Sequence, residues 1–245
     1  VYATEPQTAG RVIFETTHGP IEIQLWSREC PATTKLFLQL CLDGYYDNVI
    51  FHRIVPNFLI QTGALRYNPT ARRTSQQQSQ EITSLDTKVK ELEQYRHKVQ
   101  ADQALSRRQY ELNTRIRFNH RGQVAMALEV ENEAMGEDEL ALLQPQFFIT
   151  LDESSELDGK HVCFGTVSGP TIFNALRIGN TDIDESTNQP SILHEAPRVE
   201  RVKIMENPIH TDIVPSPGIL PWKILSSGGD MDDPKQRKKK RKAVK

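Results

Sequence analysis

Short apolar runs of period 2, each closed by turn-forming residues, constrain the fold of this chain more than any other feature. In PIEIQLW (residues 20–26), Ile21, Ile23 and Leu25 alternate with Glu22 and Gln24, the pattern of a strand with one face buried. His18-Gly19 separates this run from a second one before it. Residues 11–26 therefore predict a β-hairpin whose tight turn uses a residue tolerant of positive φ. Residues 49–61 contain two further β-like runs interrupted by Pro56-Asn57, and strands are expected again at 122–128, 146–151, 161–167 and 197–206. Two helices fit between them. Pro31 opens the first, whose stripe of Leu36, Phe37, Leu40 and Cys41 ends at Asp43-Gly44, and Pro170 opens the second, over 170–178, which Gly179 follows. Many short strands with only two body helices favour a closed barrel over a doubly wound sheet.

Charge divides the chain in two. The formal net charge is −2, yet residues 235–245 hold eight Lys or Arg and no acid. The remainder has 22 basic against 32 acidic residues, about −10. A body of that sign repels a phosphate backbone, so any RNA contact is expected only through the basic tail. No RNP-like aromatic and basic strand pattern suggests base stacking elsewhere. No apolar run reaches the roughly eighteen residues of a membrane span, and no membrane association is expected. The three cysteines, Cys30, Cys41 and Cys163, are widely spaced, and the seven histidines show no ligand cluster. This pattern predicts neither a disulfide framework nor a metal site, and it suits a reducing compartment.

One stretch breaks the rhythm of short strands. Residues 78–112 contain no Gly or Pro, and Ile82, Leu85, Val89, Leu92 and Val99 fall at heptad-like positions interrupted by Arg96. A helix of roughly 30 residues would extend about 45 Å, longer than a small barrel is wide. A helical insertion over about 75–113, stabilised by a partner, is expected. It could instead lie along the domain surface. Beyond Asn207, five prolines in 208–234 and the absence of any period indicate an extended tail over 208–245. Its closing run, KQRKKKRKAVK, has the composition of a nuclear import signal.

At FHRIVPNFLIQTG (51–63), RGQVAMA (121–127), QFFITL (146–151) and ELDGKHVCFGTV (156–167), the chain resembles the cyclophilins, a family of peptidyl-prolyl isomerases. With the opening hairpin and the Pro31 helix, the resemblance covers most of residues 10–207. It implies a mainly β domain over 1–207: an eight-stranded closed barrel with two capping helices, the helical insertion and the C-terminal tail. RFNHRG (117–122), the Glu before LDGKH, and ENPIHTDIVP (206–215) are similar to the spliceosome-associated members of the Cwc-twenty-seven type. That likeness implies a nuclear protein of pre-mRNA splicing, with spliceosomal protein partners including an MIF-four-G-domain splicing factor.

The chemistry implied is rotation about an X–Pro bond, with a barrier of roughly 18–20 kcal/mol. It requires no cofactor or nucleophile. As the amide loses resonance its nitrogen becomes an acceptor, so a fixed donor there stabilises the transition state selectively. By resemblance Arg53 is that donor, Gln61 and His161 supply polar contacts, and Phe58, Leu59, Phe148 and Leu157 line a slot for the proline of a peptide. On their own, the aromatic and leucine positions read as ordinary core and Arg53 as a surface ion pair. Three departures point away from efficient turnover. Glu156 replaces the tryptophan or histidine at the slot's rim, where it could pair with Arg53. The acidic stretch 128–145, beginning Leu128-Glu129, replaces a short loop that holds substrate backbone. Thr62 replaces the first glycine of a Gly-rich loop. The expectation is a protein-docking scaffold with weak or lost isomerase activity; the alternative is an active isomerase working on splicing factors.

Overall fold

The computed structural model describes residues 5–64, 111–128 and 143–209. The strands expected from the alternating runs are present: β1 (Arg11–Thr16), β2 (Gly19–Leu25), β3 (Arg53–Val55), β4 (Leu59–Thr62), β5 (Gln123–Leu128), β6 (Leu143–Thr150), β7 (Cys163–Val167) and β10 (Val199–Glu206). They form one sheet in the order β10-β1-β2-β7-β5-β6-β4-β3, with every neighbouring pair antiparallel. A separate two-residue pair, β8 (Ile183–Asp184) and β9 (Gln189–Pro190), lies beside β3. The sheet curls without a continuous ladder between its two ends. The residues preceding β3 instead meet the start of β10 through three backbone hydrogen bonds, from Asn48 to Val199 (2.8 Å), Val199 to Val49 (2.9 Å) and Phe51 to Pro197 (2.8 Å).

Alternation along these strands sorts the side chains into two apolar clusters. Val12, Phe14, Ile21, Ile23, Leu25, Ile60, Val124, Met126, Phe147, Ile149 and Phe164 face the inside and pack beneath helix α1 (Pro31–Leu42). Four rings form the centre of this core. Phe147 meets Phe14 at 5.4 Å, Phe37 at 5.4 Å and Tyr46 at 5.3 Å, each near the edge-to-face geometry that ring quadrupoles favour. The residues between them on β4, β5, β6 and β7 project from the opposite face and build the second, smaller cluster.

Helix α1 ends as its Asp43-Gly44 pair predicts. Gly44 has φ +72, Gly44 N–H bonds to Cys41 C=O (3.2 Å), and Tyr45 N–H bonds to Leu40 C=O (2.9 Å), so the last carbonyls are satisfied. Its start needs help from a distant residue, because Cys30 offers no side-chain cap and the first turn holds no acid. Glu111 supplies both. Its carboxylate accepts from Ala32 N–H (2.7 Å) and Thr33 N–H (2.9 Å), placing negative charge at the positive end of the helix.

In the β1–β2 turn the positive φ (+105) lies on Gly19, the member of the His18-Gly19 pair that tolerates it. Other expectations need correction. The second helix, α2 (Ile172–Gly179), begins after a 3-10 turn over Gly169–Thr171, because Pro170 occupies that tighter turn. Glu111–Asn113, the end of the expected helical insertion, are irregular; the rest of that stretch lies outside the described residues, as do Glu129 and the tail from 210. Cys30, Cys41 and Cys163 are buried, and none of the three is joined in a disulfide. No helix among the described residues is long and apolar enough to cross a membrane.

The N-terminal segment is fastened by a buried imidazole. His120 Nδ1 lies 2.8 Å from the Arg121 carbonyl and its Nε2 lies 2.7 Å from Glu5. Both partners are acceptors, so the doubly protonated ring satisfies both contacts. Burial works against that charge, but the bonds to Glu5 and Arg121 outweigh it and hold the His120 pKa above its ordinary value. A raised folded pKa gives stability that is fully present below the unfolded value near 6.5 and is lost as pH rises through the folded value. Urea unfolding of wild type and Glu5→Gln should therefore differ by about 1.5 kcal/mol near pH 6, with the gap narrowing above neutrality.

Candidate active site

The site is built by strand register. Arg53 on β3 stands opposite Gln61 on β4, Gln61 opposite Phe148 on β6, Phe148 opposite Ala125 on β5, and Ala125 opposite Cys163 on β7. One row thus crosses five strands on the face turned away from the main core. Pro56 and Asn57 make the turn that brings β3 back on β4. Phe58 N–H closes it on Val55 C=O at 3.0 Å, and Asn57 takes φ +58, which Asn tolerates better than most residues.

Polar groups on this row form a relay. Arg53 Nη1 donates to Gln61 Oε1 at 3.4 Å, and Gln61 Nε2 donates to Gln146 Oε1 at 2.9 Å. Gln61 meets the guanidinium, and Gln146 in turn fixes Gln61. Beside it lies the second apolar cluster, in which Leu59, Phe148 and Leu157 are buried with Trp26, Ile116, Phe118, Ala125 and Cys163, and half-buried Phe58 packs against them. Phe118 and Phe148 rings are 6.0 Å apart. His161 places its ring edge-on to Phe148 at 5.1 Å and is hydrogen-bonded to the Met126 backbone. Burial lowers the His161 pKa, and neighbouring Lys160 adds to the shift, so the ring is neutral at pH 7.

The turn bearing Glu156 and Leu157 is tied down at both ends. Ser154 N–H donates to Phe118 C=O at 2.8 Å, and Asp158 Oδ1 accepts from Phe118 N–H at 2.8 Å. Between these anchors a 3-10 turn over Ser155–Leu157 buries Leu157 against the slot and leaves Glu156 exposed. Glu156 does not pair with Arg53: among the described residues its carboxylate takes part in no recorded hydrogen bond or ion pair, and Arg53 points its bond at Gln61. Arg117, exposed beside Phe118, pairs with Asp158 at 3.6 Å.

The structure therefore brings together Arg53, Gln61, His161, Phe58, Leu59, Phe148 and Leu157, with Glu156 at their edge. Leu128 ends β5 one residue beyond Ala127, which packs on the same cluster. Gln146, Phe118 and Ile116 join the site without having been singled out from sequence. For Gln146 the signal was available, since it precedes Phe148 by two on one strand and must share its face. Phe118 and Ile116 come from an irregular segment with no period to read. No group of His, Cys, Asp and Glu among the described residues is arranged to hold a metal ion.

The curled antiparallel sheet carries an arginine, two glutamines and an apolar cluster on its outer face. Residues 11–204 match the cyclophilin type peptidyl-prolyl cis-trans isomerase/CLD family, and the chain belongs to it. Among its relatives, it is 39% identical over 215 residues to the peptidyl-prolyl cis-trans isomerase CYP57 of Arabidopsis thaliana. It is 40% identical to the peptidyl-prolyl isomerase CWC27 of Cryptococcus neoformans and 38% identical to the spliceosome-associated protein CWC27 homolog of Xenopus laevis. Each alignment covers 88% of this chain, which spans only about a third of those relatives' length (35%, 35% and 36%). A solved cyclophilin type isomerase of Cryptosporidium parvum, determined in the presence of the dipeptide Ala-Pro, shares the fold with TM-score 0.53 at 22% identity, over 80% of this chain and 99% of that one.

Proposed function

We propose that this chain is the cyclophilin domain of a spliceosome-associated nuclear protein, used mainly to dock proteins, with prolyl isomerisation weak or lost. The observation that carries the reading is Glu156, an exposed carboxylate on the turn that buries Leu157, where the resemblance puts the rim of a proline slot. Arg53 is the donor to the prolyl nitrogen, oriented by Gln61 and Gln146, while Phe58, Leu59, Phe148 and Leu157 receive the ring. Neutral His161 braces Phe148. Without a flat apolar wall at position 156, water reaches the ring and the guanidinium. The donor contact that should strengthen in the transition state is then screened. The name of the Xenopus laevis relative supports spliceosomal proteins as partners, and an MIF-four-G-domain splicing factor is the partner proposed among them. The stretch at 75–113 and the tail at 208–245 are the proposed grips, and RNA is contacted only through residues 235–245.

The relay from Arg53 to Gln146 favours a second reading, an active isomerase working on splicing factors. Isomerase kinetics on a Pro-containing tetrapeptide separate the two. A wild-type rate near background, unchanged in Arg53→Ala, together with co-purification of snRNP proteins from nuclear extract, is the expected result. A clear wild-type rate that falls at least about tenfold in Arg53→Ala, a loss of roughly 1.4 kcal/mol of transition-state stabilisation, replaces the first reading with the second.

A further inference from the structure

We propose that the slot selects Pro-containing protein segments carrying Lys or Arg beside the proline, and that Glu156 reads that charge. This rests on the slot binding a Pro-containing peptide, as above. Three observations carry it. The turn holding Glu156 is anchored to Phe118 on both sides, so the backbone that carries the carboxylate is held beside Leu157. It is exposed, and among the described residues it has no recorded partner to neutralise it. The surrounding charge has the same sign. Asp152 and Glu153 are exposed on the same loop, Asp158 already holds Arg117, and against these four acids residues 152–160 contribute only Lys160.

Arg53 bonds to the neutral amide of Gln61 and keeps its charge, so the negative field belongs to the exposed rim, where Asp152, Glu153 and Glu156 stand. A ligand whose proline enters the slot must lay its neighbouring residues over this rim. An acidic neighbour meets like charge there, whereas a basic one finds a carboxylate placed to receive it. The chain outside residues 235–245 carries about −10, which adds longer-range attraction for the same ligands. The partner is thus a basic, proline-bearing segment of another protein.

The test uses the full chain, 15N-labelled, titrated with three peptides of the form acetyl-Ala-Xaa-Pro-Xaa-Ala-amide in which Xaa is Lys, Ala or Glu. The Lys peptide is expected to bind about fivefold tighter than the Ala peptide, with the Glu peptide weakest. Raising salt to about 0.5 M should compress the series. Glu156→Gln, a change at an exposed position, should cut the Lys preference below about twofold. Equal affinity for all three peptides, with shifts at Phe148 and Leu157, overturns the charge selection and leaves the slot reading intact. A Lys preference that survives Glu156→Gln overturns the role of Glu156. No shift at Phe148 or Leu157 with any peptide overturns both this inference and the binding slot it rests on.

Discussion

Phe147→Ala is expected to lower the unfolding free energy by about 3–5 kcal/mol, measured by urea denaturation. The side chain is buried at the meeting point of Phe14, Phe37 and Tyr46, and it stacks edge-on against all three. Removing it deletes the transfer energy of a whole ring and leaves a cavity whose walls cannot collapse easily. Phe14 and Phe37 already pack on each other at 5.8 Å, and Tyr46 is pinned by its hydroxyl to the Pro145 carbonyl at 2.8 Å. For a domain of ordinary stability, about 5–15 kcal/mol, such a loss consumes a large share. The neighbouring substitution, Phe148→Leu, serves as a contrast. Phe148 belongs to the other face of the same strand, so the fold should survive while peptide binding weakens. If Phe147→Ala unfolds within about 1 kcal/mol of wild type, the four-ring core is not the centre of this domain's stability.

Glu156→Trp is expected to raise the isomerase rate on a Pro-containing tetrapeptide about tenfold over wild type. A tryptophan on the anchored 3-10 turn would present a flat apolar wall next to Leu157. Covering roughly 60 Å² of the bound ring, at about 25 cal/mol per Å², contributes about 1.5 kcal/mol, or a factor near ten. The wall would also exclude water from Arg53, strengthening its bond to the prolyl nitrogen where that bond matters most. Combining Glu156→Trp with Arg53→Ala should cancel the gain, because the wall acts through the guanidinium. A flat rate in Glu156→Trp would mean that the disarming change lies elsewhere, with the altered segment after β5 the next place to examine.

The two predictions concern residues whose different roles could not have been separated from the chain alone. Phe147 and Phe148 are adjacent, equally apolar and both fully consistent with a buried strand. Alternation requires one to face in and the other out, but local pattern does not say which. The answer comes from register: Gln61 and Ala125 stand on either side of Phe148, and the strands beyond them decide which face the helix covers. Arg53 is a similar case. Read alone it suits a surface ion pair, and only the family resemblance raised it above that; the structure shows its bond going to an amide instead of a carboxylate. The pairing of Glu156 with Arg53, one of two readings the sequence allowed, is absent among the described residues; the turn that carries Glu156 is held instead by Phe118, a residue forty positions from Asp158 with no periodic signal.

What the sequence by itself determined is local. Period 2 in the short runs, Pro31 and Pro170 near helix starts, Gly44 at a helix end and Asn57 in a tight turn all act through neighbouring backbone geometry, and each left its mark in the order of residues. Tertiary structure alone decided everything that depends on contacts between distant parts of the chain. It set which cluster each apolar face joins, the Glu111 carboxylate at the start of α1, the Glu5–His120 clasp and the row from Arg53 to Cys163. The physical reason is that propensity and turn chemistry are properties of a few consecutive residues. A site made from five strands exists only once register has paired them, and register is settled by the burial of the whole sheet.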